Sequence, residues 1–156
     1  SPGPGPQVLR GLAGKLPPVQ VLICYEAIFS RHLITGPDRP DWILQITNDA
    51  WFGTMSGPWQ HLALARLRAI ESGLPVIRVA NTGVTAVIDA RGTIRQQLGL
   101  NVEGRIDAHL PGALPATPWD RVKDWPVVIL TLLALVALAT IRHKCVSTVD
   151  ETPPVA

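Results

Sequence analysis

An α/β fold is the class this sequence predicts, on three observations. Short runs rich in Val, Ile and Leu, at Val19–Cys24, Trp42–Thr47 and Val76–Ala80, read as buried strands. A long stretch with helical spacing, Trp59–Ser72, lies between the second and third of them. Glycine, proline and asparagine punctuate the joints, and there is no internal repeat. Strands interleaved with helices build layers of sheet and helix.

In chain order, Ser1–Pro6 alternates proline and glycine, and 1–18 as a whole reads as a lead or loop. Val19–Cys24 is the first central strand. Tyr25–Ile34 follows as a short helix, stopped by Thr35-Gly36-Pro37. Trp42–Thr47 is the second strand and ends in Asn48-Asp49-Ala50-Trp51-Phe52-Gly53. In the helix over Trp59–Ser72, Trp59, Ala63, Leu67, Ile70 and Leu74 share an apolar face, and His61, Arg68, Glu71 and Ser72 are its polar positions. Arg66, Arg68 and Glu71 are expected to form a solvated or intersubunit face. Gly73 and Pro75 end the helix. Val76–Ala80 is the third strand, closed by Asn81-Thr82-Gly83. Thr85–Asp89 and Thr93–Leu98, joined through Arg91-Gly92, read as a β-hairpin, and Val102–Leu110 as a further strand.

Pro111–Pro118 is a proline- and alanine-rich connector, so 19–118 reads as one domain. Then comes Trp125–Ile141, whose only polar side chains are Thr131 and Thr140. At about 1.5 Å per residue it makes a helix roughly 25 Å long, at the short end of what spans a hydrocarbon core of about 30 Å. Trp119 and Trp125 before it and Arg142-His143-Lys144 after it suit the two interfaces, so 119–144 is expected to be a transmembrane helix with flanks. A buried core helix is the rival reading. The bracketing charges favour the membrane, but Arg121 and Lys123 on one side balance Arg142 and Lys144 on the other, so charge does not orient the span. Residues 145–156 are expected to be a disordered tail.

The formal net charge is only +2, and the basic residues are scattered, which argues against a nucleic-acid partner. The two cysteines, Cys24 and Cys145, lie near opposite ends and form neither a disulfide framework nor a zinc spacing. The four histidines, His32, His61, His109 and His143, form no ligand motif, so no metal and no cofactor is expected. The chain starts at Ser1, and its one methionine is Met55, so it is read as the C-terminal part of something longer.

Cys24 is the most informative residue. The apolar run Val19-Gln20-Val21-Leu22-Ile23 ends abruptly in Cys24-Tyr25-Glu26, a thiol, a phenol and a carboxylate. The C-terminal end of a strand is where α/β folds present their chemistry. At a helix N-terminus the dipole and free N–H groups activate a thiol and hold an oxyanion. The same pattern reads equally as an inert, buried cysteine closing a strand.

Ile23-Cys24-Tyr25-Glu26, Ile46-Thr47-Asn48-Asp49-Ala50-Trp51-Phe52-Gly53, Gly57-Pro58-Trp59-Gln60-His61 with Ala65-Arg66-Leu67-Arg68-Ala69-Ile70-Glu71, and Val79-Ala80-Asn81-Thr82-Gly83-Val84-Thr85-Ala86 occur in this order. Together they resemble the C-terminal part of the bacterial apolipoprotein N-acyltransferases, membrane enzymes of the nitrilase superfamily. The resemblance runs over roughly Val19–Ile141. It implies the C-terminal part of a nitrilase-like α-β-β-α sandwich followed by one transmembrane helix, and a Glu-Lys-Cys triad. It further implies a phospholipid acyl donor, a thioester on Cys24, and a diacylglyceryl-modified lipoprotein whose N-terminal amine takes the acyl chain. The implied site is the bacterial inner membrane, with the catalytic domain periplasmic and the C-terminus cytoplasmic.

On this resemblance Cys24 is the nucleophile, the backbone N–H of Tyr25 holds the oxyanion, and Glu26 supports the site. Asn48, Trp51, Phe52, Trp59, His61 and Asn81 are the expected substrate-binding residues, with direct catalysis by His61 not expected. One departure matters. The family's triad Glu and Lys lie upstream of the cysteine, whereas no Asp or Glu precedes Cys24 here, and the one preceding lysine, Lys15, is outside the family's lysine motif. The chain by itself is therefore expected to be inactive. Two other readings stay open: a different membrane-anchored nitrilase-type amidase or acyltransferase, and a degenerate, non-catalytic fragment.

Overall fold

Six strands hydrogen-bond side by side in chain order: β1 (Val8–Leu9), β2 (Val19–Ile23), β3 (Trp42–Asn48), β4 (Val76–Asn81), β5 (Thr85–Ile88) and β6 (Ile94–Leu98). The computed structural model describes residues 5–11, 14 and 16–150. Strands β2, β3 and β4 are parallel, while β1 and the β4–β5–β6 run are antiparallel. The lead is thus more than a loop, because Val8 and Leu9 pair with Gln20 and Val19 at the sheet edge. Lys15 and residues 151–156 lie outside the described residues.

The parallel register decides which side chains share a face. Val21, Leu44 and Ile77 are neighbours across the strands, as are Ile23, Ile46 and Val79. These point to one side of the sheet, and the second row stays open, with Ile23 62%, Ile46 47% and Val79 47% exposed. The other side carries Leu22, Ile43 and Val76, which pack with Leu62, Ala65 and Ala69 of α1 (Gly57–Ser72). Among the described residues up to Arg121 there is therefore one sheet with one helical layer, and one apolar sheet face that stays partly open.

Helix α1 begins with Pro58 in its first turn and stops at Gly73, whose φ of 65° sits in the left-handed region that glycine tolerates. Its orientation differs from the sequence expectation. Pro58, His61, Leu62, Ala65, Arg68, Ala69 and Ser72 are buried, whereas Trp59, Leu67 and Ile70 are exposed. The cause lies in the sheet. Its inner face carries Gln20, Gln45, Thr47 and Arg78, all buried, so the helix must offer polar partners together with small side chains. Arg68 is accordingly not a solvated residue: it is buried and donates to Glu71 at 3.0 Å.

Two other expectations are corrected. No α-helix covers Tyr25–Ile34; short 3₁₀ turns at Cys24–Ile28 and Ser30–His32 take its place. Gln20 reaches into this stretch, donating to the carbonyl of His32 and accepting from the Ile34 N–H, and these tertiary bonds hold it in separate turns. No strand forms over 102–110, which runs as irregular chain. Polar and glycine residues interrupt it (Glu103, Gly104, Arg105, Asp107), which weakens strand pairing. The β5–β6 hairpin forms as expected, and Asp89 organises its turn by accepting from the N–H groups of Arg91 and Thr93 and from Arg95.

The chain divides after Arg121 into a second unit. Its helix, α3 in chain order after the short α2 (Pro118–Val122), runs Trp125–Asp150. The expected tail at 145–150 is therefore helical. Over Trp125–Arg142 the mean hydropathy is 2.1, and the helix is long and apolar enough to cross a membrane. The two threonines of Trp125–Ile141 are satisfied internally: Thr131 donates to the Val127 carbonyl at 2.8 Å and Thr140 to that of Ala137 at 2.7 Å. A hydroxyl bonded back to its own helix is the form in which hydrocarbon tolerates it.

Candidate active site

The C-terminal ends of β2, β3 and β4 lie at one edge of the sheet and deliver Cys24, Asn48-Asp49 and Asn81 there. Cys24 follows β2 directly. It is a free thiol of intermediate exposure, and its φ is 51°, in the left-handed region. A non-glycine residue held there is strained by order 1–3 kcal/mol, and such strain persists only where the surroundings fix it. A sharp turn of this kind, strand to Cys to helical turn, lifts the side chain out of the backbone path and exposes the sulfur, as in a nucleophile elbow.

Glu26 closes the elbow. Its carboxylate accepts from the Ile23 N–H at 2.8 Å, so the end of β2 is tied to the first turn after it. Around the thiol stands an aromatic ledge. The Tyr25 ring stacks 6.3 Å from Phe52 and meets Phe29 edge-on at 6.2 Å, and Phe52 meets His61 edge-on at 5.2 Å. Tyr25 is 53% exposed and Trp51 87%. Asn48 and Asn81 are register partners, both exposed. Asn48 accepts from the Ala50 N–H at 3.1 Å, while Asn81 lines a hollow of about 750 Å³ walled by Val79, Leu98 and Val102. Trp59 is exposed on the outer side of α1.

His61 is placed differently from the rest. It is 3% exposed and belongs to a buried polar cluster on the helix side of the sheet. Its Nδ1 donates to Asp49 Oδ1 at 2.9 Å, and its Nε2 accepts from the Gln45 amide at 3.0 Å. Asp49 also accepts from Thr47 and, through Oδ2, from Arg78. Arg78 donates further to Gln45 Oε1 at 2.7 Å and to the Val84 carbonyl at 3.1 Å. The Gln45 amide reaches the Cys24 carbonyl at 3.4 Å. Gly83 abuts this cluster so closely that a Cβ there would run into the Asp49 carboxylate.

Burial pushes the His61 pKa below 6.5, and the Arg78 charge lowers it further, against the opposing pull of Asp49 and the Cys24 carbonyl. The ring is therefore neutral at pH 7. Burial also lowers Arg78, and the Asp49 carboxylate opposes that shift. With both ring nitrogens committed, His61 has no lone pair left for the Cys24 thiol, so it cannot serve as the general base at this geometry.

The sequence reading missed Gln45 and Arg78, and it took Asp49 only as part of a loop. A signal was present: a Gln and an Arg each interrupt an otherwise apolar parallel strand, and a polar group there must find a buried partner.

The carbon-nitrogen hydrolase family matches residues 1–116. The apolipoprotein N-acyltransferase of Rhodopseudomonas palustris is 52% identical over 128 residues, 82% of this chain and 24% of that protein. Those of Bradyrhizobium diazoefficiens and Caulobacter vibrioides are 52% and 44% identical over 79% and 90% of this chain, which covers 22% and 26% of them. The chain thus spans about a quarter of the length of these curated relatives. Among solved structures, XC1258 from Xanthomonas campestris, described as a CN-hydrolase superfamily protein, aligns over 100% of this chain and 54% of its own, with a TM-score of 0.53 and 18% identity. Saccharomyces cerevisiae Nit3, of the nitrilase superfamily, aligns over 66% of this chain and 40% of its own, with a TM-score of 0.52 and 23% identity. These two share the fold. With the family matched over most of its length and a strained cysteine at the strand edge, the chain belongs to the carbon-nitrogen hydrolase family.

Proposed function

We propose that this chain carries the thiol-bearing part of an apolipoprotein N-acyltransferase. The observation that supports this most is Cys24, held in a left-handed elbow beside an exposed aromatic ledge, in a chain half identical to relatives of that name. The Cys24 thiolate attacks an ester carbonyl of a phospholipid. The tetrahedral oxyanion collapses, the lysophospholipid alkoxide leaves and takes a proton, and a thioester remains. The free α-amine of a diacylglyceryl-modified N-terminal cysteine then attacks the thioester and loses a proton. The Cys24 thiolate departs and the amide is formed. Splitting ester-to-amide transfer into two thioester steps lowers each barrier.

In this reading the Tyr25 N–H faces the oxyanion, and Glu26 keeps the elbow in place. Trp51, Phe52, Trp59, Asn48 and Asn81 border the substrates, and His61 acts from beneath the surface. A Glu base and a Lys of the resembled triad are required in addition. Since no carboxylate precedes Cys24 in this chain, the chain alone acylates too slowly to matter. The partly open apolar sheet face, with Ile23, Ile46 and Val79 exposed, supports the same view, because the resembled sandwich sets a second sheet there. Helix α3 crosses the bacterial inner membrane, with the cysteine-bearing domain periplasmic and the C-terminus cytoplasmic.

The test supplies the complete gene product carrying this chain with phospholipid and a diacylglyceryl-cysteinyl peptide in detergent, and follows the peptide mass. A gain of one fatty acyl group in amide linkage is expected. Release of free fatty acid with an unmodified peptide would instead identify a hydrolase, and neither product a non-catalytic chain.

A further inference from the structure

The buried cluster beneath Cys24 is costly to keep. Arg78, Gln45 and Asp49 are each at most 1% exposed, and His61 is 3% exposed. Ion pairs buried this deeply are commonly matched or bettered in stability by apolar side chains of the same volume. Their retention at the end of β3 and β4, next to a strained nucleophile, calls for a use beyond packing.

The geometry supplies one. The polar chain runs from Arg78 to Gln45 Oε1, and from the Gln45 amide to the Cys24 carbonyl. His61 takes the other Gln45 proton, and Asp49 fixes both His61 and Arg78. Arg78 can only donate, so the side of the Gln45 amide facing it must be oxygen, and the nitrogen must face Cys24 and His61. The amide cannot flip without placing donor against donor. Its target, the Cys24 carbonyl, belongs to the same rigid peptide plane as the Tyr25 N–H, and in a trans peptide the two point in opposite directions. Holding the carbonyl from below aims the N–H upward, away from the sheet interior.

We propose that Gln45, locked by Arg78, His61 and Asp49, is a positioning residue that sets the Cys24–Tyr25 peptide so that its N–H meets the oxyanion of the acyl-transfer step. The inference rests on the proposed acyltransferase reading and adds to it a residue set buried beneath the elbow, on the helix side of the sheet. Removing the hold lets the strained elbow rotate toward an unstrained φ, and the donor is lost from the transition state while the thiol remains. Loss of one oxyanion donor costs about 10²- to 10³-fold in rate.

The test substitutes Gln45→Glu in the complete gene product. A carboxylate keeps the acceptor for Arg78 but puts an acceptor against the Cys24 carbonyl. The acylation rate of Cys24 at saturating phospholipid is expected to fall about 10²-fold, with KM within about twofold of the unsubstituted protein by the same reasoning on transition-state-only contacts. Alkylation of Cys24 by iodoacetamide, which needs the thiol but no oxyanion donor, should keep its rate. A fall in alkylation parallel to acylation, or acylation at the unsubstituted rate, overturns the proposal. Arg78→Lys decides the matter if Gln45→Glu does not fold. It keeps a cation for Asp49 and frees the Gln45 amide, and should again lower acylation while sparing alkylation; equal effects on both rates overturn the proposal. If the unsubstituted protein forms no acyl adduct, the acyltransferase reading itself has failed, and this inference falls with it.

Discussion

Arg78 and Gln45 are register partners on neighbouring parallel strands, and the guanidinium Nη1 donates to the Gln45 side-chain oxygen at 2.7 Å. The same guanidinium pairs with Asp49, so one arginine joins the sheet interior to the turn after β3.

Asp49→Ala should be among the most damaging substitutions outside the thiol itself. It leaves Arg78, which is fully buried, without its carboxylate. Breaking one side of a buried pair costs about 3–5 kcal/mol. Asp49→Asn keeps an acceptor for His61 or Thr47 and should cost less. Denaturant unfolding of the detergent-solubilised protein gives both values, and equal stability of Asp49→Ala and the unsubstituted protein would remove the cluster from the account.

Stability should fall on mild acidification because of His61. Burial, followed by the Arg78 charge, holds its native pKa below 6.5, the value it regains on unfolding. In the window beneath 6.5 the unfolded chain therefore binds a proton that the native state refuses, and unfolding becomes easier as pH drops toward the depressed native pKa. Above 6.5 the contribution is complete and constant. His61→Gln should flatten this part of the stability–pH profile, as read from unfolding midpoints at pH 7.5 and 5.5.

Glu26→Gln separates charge from geometry at the elbow. The carboxylate accepts from the Ile23 N–H, and a glutamine oxygen can do the same. Lipoprotein N-acylation by Glu26→Gln is expected to be clearly below that of the unsubstituted protein but above that of Cys24→Ala. Glu26→Ala, which also loses the cap, should be less stable by about 1 kcal/mol. Full activity of Glu26→Gln would reduce Glu26 to a prop for the backbone.

The apolar stretch of α3 motivates a span, and the proposed acyltransferase reading sets its sense, with the C-terminus in the cytoplasm. A reporter active only in the cytoplasm, fused after Ala156, is expected to be active, and the same reporter in the 111–117 connector silent. The opposite pattern would reverse the orientation.

Strands β2, β3 and β4, the β5–β6 hairpin and the apolar helix were legible because each is written in local pattern: runs of Val and Ile, a glycine turn after Asp89, an apolar stretch without a polar face; β1, only two residues long, was not. The facing of α1 was not. Trp59, Leu67 and Ile70 form the more apolar stripe, yet the sheet beneath the helix carries Gln45 and Arg78, so the helix turns His61 and small alanines inward. That choice depends on a surface contributed by other strands, and no helical periodicity contains it. Cys24, Tyr25 and Glu26 could be picked out from the abrupt end of β2, but the left-handed backbone at Cys24 could not, because nothing in a Cys-Tyr-Glu triplet requires φ of 51°. Similarly, 102–110 has enough Val, Ile and Leu to suggest a strand, but strand pairing is decided by partners far away in the chain.

On the proposed reading, Cys24 carries the acyl group. The complete gene product, incubated with phospholipid in detergent and examined by intact-mass spectrometry, should gain the mass of one fatty acyl chain, removable by hydroxylamine as a thioester is. The adduct should vanish in Cys24→Ala, and the 156-residue chain alone should show none. An acyl adduct that survives Cys24→Ala would contradict the account.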